Sequence, residues 1–230
     1  MVIIGSEARG WEYLCAEAPF NFGVGLVSVI NHKEYQLPYH IMQSHKFPKN
    51  TTAIAIGMGL GNYEQNEILE ILNKDILKVI DADMFYGKDI KIVLNKENIV
   101  LTPHPKEFCS LLKITAIDDI SVETLQKNRF KYVEKFCNKY PKVVLVLKGA
   151  NTIIAQNKKV YINPHGSSKL SFGGSGDILS GLVGSLLAQG YSCIDAAING
   201  SLAHTISALQ YTGNDYSMTP DDLISGIKIL

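Results

Sequence analysis

The chain has 230 residues, 46% of them hydrophobic, with 22 basic and 22 acidic side chains and a formal net charge of zero. That length suits one domain with a sizeable core, and the balanced charge excludes an electrostatic nucleic-acid binder, although not a small local phosphate site. Cys15, Cys109, Cys137 and Cys193 form no CxxC pair, no apolar run is long enough to span a membrane, and "MVIIGSEARG" is too short an apolar start for a signal peptide. The expectation is a cytoplasmic protein without zinc or dithiol chemistry.

In chain order, the runs at 2–4, 26–30, 53–56, 78–80, 143–147 and 152–155 read as strands. Several are apolar throughout, as strands covered on both faces should be. Between them, 64–77, 122–139, 177–189 and 194–210 carry helical periodicity. The alternation predicts an α/β layered fold with a largely parallel sheet. There is no internal repeat and no linker, so residues 1–230 are expected to form one domain.

Four motifs carry chemistry. The first is Gly57-Met58-Gly59-Leu60-Gly61, between a strand and a helix, followed by a strand ending in Asp81. It is either a strand-to-helix turn or a ligand-contacting loop. As a dinucleotide fingerprint it is imperfect, because Asn62 stands where a third glycine would allow close packing. The second is "LTPHPKEF", residues 101–108, which sets His104 between two prolines and Glu107 on an incipient helix. A surface turn and a rigidly held binding group are both open readings.

The third motif is Lys148-Gly149 after an apolar strand, where the lysine either snorkels to solvent or meets a phosphate. The fourth is "GGSGD", residues 173–177, running into an apolar helix. Gly173, Gly174 and Gly176 leave successive amides free to converge, and the helix start adds unpaired N–H groups. This is an anion site. Asp177 is either a helix cap or the base that takes a proton from a hydroxyl as a phosphoryl group arrives there. Gly181, Gly184 and Ala188 form a stripe of small residues along the helix, against which another backbone can pack.

The ordered set "GMGLG", "DAD", "LTPHPKEF", "LKGANT" and "GGSGDILSGLVGSLLAQG" closely resembles the ADP/ATP-dependent NAD(P)HX dehydratases of the ribokinase-like superfamily, along the whole chain. The resemblance implies a three-layer α/β/α sandwich with a mostly parallel sheet. It implies an enzyme that dehydrates (6S)-NADHX or NADPHX to NADH or NADPH, using ADP or ATP with Mg2+, by phosphorylating the ring hydroxyl and releasing phosphate. Asp177 would be the catalytic base, with Gly174, Ser175 and Gly176 as the anion hole. Lys148, Gly149, Ala150, Asn151 and Thr152, with Gly176, match the nucleotide-binding segment. Gly59, His104 and Asp177 match positions that contact the hydrated dinucleotide, and Trp11 falls at the edge of that pocket. Glu107 lies in a segment associated with magnesium, and Asp83 at a strand end near the same cleft.

The resemblance also implies a homo-oligomer, commonly a tetramer, and an epimerase domain often fused upstream, so the chain reads as a piece of a larger protein. The family usually has proline at Met58, glycine at Lys106 and a small residue at Trp11, and often has "HG" where this chain reads "AHTISA". These departures bear on affinity rather than reaction class. The alternative on the same motifs is a superfamily kinase of a small vitamin-precursor alcohol. A catalytically silent nucleotide-binding module is the reading from another class.

Overall fold

The computed structural model describes residues 1–5, 11–31, 37–61 and 63–230, and Trp11 by its backbone alone. The Trp11 side chain and Asn62, both considered in the sequence, lie outside the described residues.

Nine described strands form one sheet: β1 (Val2–Ile4), β2 (Val27–Ile30), β3 (Ile41–Ser44), β4 (Ala53–Ile56), β5 (Leu77–Ile80), β6 (Ile99–Leu101), β7 (Val144–Leu147), β8 (Thr152–Gln156) and β9 (Lys159–Asn163). Their order is β3-β2-β1-β4-β5-β6-β7-β8-β9. The pairings from β3 to β7 are parallel, and β7–β8 and β8–β9 are antiparallel. The helices are α1 (Trp11–Phe20), α2 (Gln65–Asn73), α3 (Pro105–Ile114), α4 (Val122–Lys127), α5 (Arg129–Lys139), α6 (Ser175–Ala188), α7 (Cys193–Gln210) and α8 (Pro220–Ile227).

The strands sort their side chains by size. Ile54, Ile56, Ile80, Leu101, Leu145 and Leu147 face one layer, where α2, α3, α4 and α5 cover them. Ala53, Ala55, Val79, Val100, Val144 and Val146 face the other, covered by α1, α6 and α7. A third cluster joins α1, α6 and α7 to α8. Because side chains alternate across a strand, apolar runs such as "VVLVL" serve both faces. The expected α/β/α layering is present.

The chain winds from β1 outward to β3, then returns to place β4 on the other side of β1. In open α/β sheets ligands bind outside the carboxyl ends of the strands at such a reversal. Gly5 follows β1 there and Gly57 follows β4.

Some expected elements differ. The helix expected over 64–77 ends at Asn73, because Leu77 already belongs to β5. That expected over 122–139 breaks at Asn128, whose φ of −137° is not helical. α1 carries an internal Pro19 and is buried along most of its length, so it shows little amphipathic period. β3 and β9 are edge strands of the described sheet, and β9 is exposed over its first four residues, so neither reads as an apolar run. α8, capped by Thr219, was also not expected.

α1 crosses α6 at the small-residue stripe. A Cβ on Gly181 would lie 2.6 Å from the Cys15 carbonyl oxygen and 3.0 Å from Pro19 Cδ. Gly181→Ala therefore overpacks this crossing, at about 1–3 kcal/mol, against roughly 1 kcal/mol of gained helix propensity. A lowered urea midpoint at unchanged slope is expected; an equal or higher midpoint would refute the close-approach account.

Candidate active site

Gly174 precedes α6 with φ +96°, a left-handed conformation that glycine adopts at little cost. Helical bonding starts with Ile178 N donating to Gly174 O at 3.0 Å. The amides of Ser175, Gly176 and Asp177 are thus left without helical partners, at the positive end of the α6 dipole. The helix begins two residues earlier than the sequence suggested. This corrects the capping reading of Asp177: Gly174 holds the cap position and Asp177 stands in the first turn.

Charges converge on this helix start. Lys148 leaves the end of β7, and a Cβ on Gly176 would stand 3.2 Å from its Nζ. Nζ donates to Asp81 Oδ1 at 2.8 Å and lies 3.9 Å from Glu107 Oε2. Asp81 is 2% exposed at the end of β5; its Oδ2 accepts from Ser180 Oγ at 2.6 Å, and Ser180 in turn contacts Thr102 Oγ1 at 3.1 Å. An acid at this strand end would hold a ribose in a dinucleotide fold, but Asp81 is committed to Lys148 and Ser180, so that reading fails.

Burial would lower the Lys148 ammonium, yet the carboxylates of Asp81 and Glu107 outweigh it and hold its pKa above the ordinary value. Burial, and then the negative charge of Asp81, push Asp177 up to about 7, with Lys148 opposing. A carboxylate titrating near neutrality is a general base matched to its working pH.

His104 caps α3. Its Nδ1 accepts from the amides of Lys106 at 3.1 Å and Glu107 at 3.3 Å, so the ring proton sits on Nε2. Nε2 faces Glu107 Oε1 at 3.0 Å, and the His104 amide donates to Glu107 Oε2 at 2.7 Å. His104 is therefore both a rigid turn and a wall of the cleft. Glu107 is buried with both oxygens engaged and an ammonium beside it. Among the described residues no group of three His, Cys, Asp or Glu side chains is placed to hold a metal. A cation held by protein side chains alone does not fit here.

The Lys148–Thr152 segment forms a loop fastened by Arg129 of α5. The guanidinium donates to the carbonyls of Asn151 at 2.9 Å, Leu147 at 3.1 Å and Lys148 at 3.4 Å. A Cβ on Gly166 would lie 1.7 Å from Ala150 O, so this loop and the 164–167 segment touch backbone to backbone. A cavity of about 600 Å³ opens between them, bounded also by His104, Ser175, Gly176 and His204. It brings together Lys148, Gly149, Ala150 and Thr152 with Ser175 and Gly176, while Gly174 lies outside its lining. Asn151 does not line it and contributes its carbonyl to Arg129 instead.

Gly59 and Asp177 lie outside that cavity's lining. Gly57 has φ +126°, and a Cβ there would stand 1.8 Å from Asp81 O. Asp83 accepts from Leu60 N at 3.0 Å and Asp83 N donates to Gly57 O at 3.1 Å. Asp83 thus latches the glycine loop that carries Gly59. Nearby, beside Gly5 after β1 and at the end of β2, Glu12 Oε2 and Asn31 Nδ2 are buried with no hydrogen-bond partner among the described residues. Such groups call for an explanation, and a ligand is one. Sequence reasoning missed Arg129, Ser180 and His204; only "AHTISA" gave a signal, as a departure.

Comparison with known proteins fits this geometry. A family described as NAD(P)H-hydrate dehydratase matches residues 1–228. The bifunctional NAD(P)H-hydrate repair enzyme of Helicobacter pylori is 44% identical over all of this chain, which covers 49% of that protein. The ADP-dependent (S)-NAD(P)H-hydrate dehydratase of Neisseria meningitidis is 33% identical over 90% of this chain and 75% of its own length. The chain spans about half the length of the first curated relatives it matches. The crystal structure of the Bacillus subtilis ADP/ATP-dependent NAD(P)H-hydrate dehydratase, co-crystallised with ATP/Mg2+ and soaked with CoA, superposes with a TM-score of 0.79 at 21% identity, covering 98% of this chain and 88% of that one. The fold is ribokinase-like. The chain belongs to the NAD(P)H-hydrate dehydratase family.

Proposed function

We propose that the protein dehydrates (6S)-NADHX and NADPHX to NADH and NADPH at the expense of ADP or ATP. The observation that carries this is Asp177, a carboxyl group with a pKa near 7, set in the first turn of a helix whose open amides and neighbouring Lys148 favour an anion. Asp177 takes the proton of the ring hydroxyl as its oxygen bonds to the terminal phosphoryl group and the bond to the departing nucleotide breaks. The amides of Ser175 and Gly176, with Lys148 Nζ, receive the charge of the phosphoryl oxygens. Phosphate then leaves that ester with the C–O electron pair, and the neighbouring ring carbon gives up a proton to water to form the double bond.

The cavity beside Lys148–Thr152 takes the nucleotide in this reading. The hydrated ring lies toward Gly59, across Asp177, where the unpaired Glu12 and Asn31 supply polar contacts. Mg2+ bound to the nucleotide phosphates would supply charge neutralisation there, which would ask little of the protein's own side chains. The four cysteines are free, which supports a reducing, cytoplasmic setting, and among the described residues no helix is long and apolar enough to cross a membrane. A homotetramer belongs to the same reading on family resemblance, and sedimentation tests it.

The deciding assay incubates the protein with NADHX and either ADP or ATP. It follows NADH absorbance together with free phosphate. A stable phosphorylated alcohol in place of restored NADH would replace this reading with a kinase. Asp177→Asn should lower turnover by about 10²–10⁴-fold, with ADP binding changed no more than a few-fold; an active Asn variant removes Asp177 from the role.

The raised pKa also has a stability consequence. A carboxyl group whose folded pKa of about 7 exceeds its ordinary 3.8 favours the folded state below pH 4, and that contribution is lost as pH rises toward 7. Asp177→Asn abolishes the loss, so its Tm relative to wild type should climb between pH 5 and pH 8. A difference constant with pH contradicts the raised pKa.

A further inference from the structure

His204, in α7, faces the start of α6 from the cavity wall. Its Nε2 lies 2.9 Å from the Ser175 carbonyl oxygen and 3.1 Å from Ser175 Oγ. A carbonyl oxygen only accepts, so Nε2 must carry a proton. Burial lowers the ring's pKa to about 4, which leaves it neutral at working pH with that one N–H aimed at Ser175. A hydroxyl facing a donor can only accept on that side. The Ser175 hydroxyl proton therefore points elsewhere, and among the described residues no acceptor for it is recorded. Ser175 is 6% exposed and lines the cavity beside Gly176 and Lys148. A nearly buried O–H with no protein acceptor, beside converging amides, suits an anionic oxygen.

Resting on the nucleotide-binding reading above, we infer that the Ser175 hydroxyl donates to a phosphate oxygen of the nucleotide and that His204 is the positioning residue that aims it. The anion hole is then more than backbone: it has one side-chain donor, oriented from a different helix. The imidazole works as a fixed donor here, and exchanges no proton with substrate.

Calorimetry with ADP and with adenosine, which lacks phosphate, tests this. Ser175→Ala and His204→Leu should each weaken ADP about tenfold, the size of one charge-assisted hydrogen bond, and leave adenosine within about twofold. The double variant should be no weaker than either single one, since both remove the same contact. His204→Gln, which keeps an amide N–H at the end of the side chain, should recover most of the ADP affinity, and it still reports if the leucine variant fails to fold. Equal losses for ADP and adenosine, multiplicative losses in the double variant, or wild-type ADP affinity in Ser175→Ala would overturn the inference. If the wild-type protein binds ADP yet restores no NADH from NADHX, the dehydratase reading falls while this one stands. If the wild type binds no ADP, both fall.

Discussion

The buried ion pair between Lys148 and Asp81 organises the site. Each partner would be costly alone, because an unpaired charge in a low-dielectric interior has lost its water. Paired, they tie the end of β7 to the end of β5, two strands separated only by β6. Asp81 then reaches α6 through Ser180, and its main-chain carbonyl supports Gly57. One carboxylate thus joins the loop that carries Gly59, the lysine of the cavity loop and the helix that carries Asp177. Burial chiefly raises Asp177, the same Asp81 charge adds to the rise, and Lys148 restrains it. The balance keeps a carboxylate poised beside a hole built for anions.

The sheet explains why these groups meet. Parallel strands bring their carboxyl ends to one edge, and the reversal between β1 and β4 opens a crevice there. Loops after β4, β5, β6 and β7 deliver Gly59, Asp81, His104 and Lys148 to that edge. α6 arrives from beneath, buried for most of its length, with its start exposed to the cavity. A site on such a mount keeps its geometry, as the proposed phosphoryl transfer requires.

Much of this was legible in the residues. Glycine runs, an acid and a lysine at strand ends, and prolines around a histidine are local signals, and each falls at the carboxyl edge of the sheet or the start of α6. What stayed hidden depends on partners distant in sequence. Arg129 reads as an ordinary helix residue until the 147–151 carbonyls fold against it. His204 lies 29 residues from Ser175, and the "AHTISA" departure around it does not reveal that partner. Asp83 reads only as an acid at a strand end near the cleft, yet it latches the glycine loop through Leu60 N and Gly57 O. Helix α1 escaped because it is buried almost all round and contains a proline, so it carries little 3.6-residue period.

The sorting of strand side chains has its own consequence. On β4 to β7 alanine and valine line the face under α6, and isoleucine and leucine the opposite face. Small side chains let α6 settle close to the strands that feed the cleft, with Gly181 against α1 and Gly184 against Met1. Variation on that side shifts the amides at the helix start, so its tolerance is narrow. The far side, under α2 to α5, meets the cleft mainly through loops and can absorb change as altered stability. The fold thereby divides into a half that holds the chemistry still and a half free to drift.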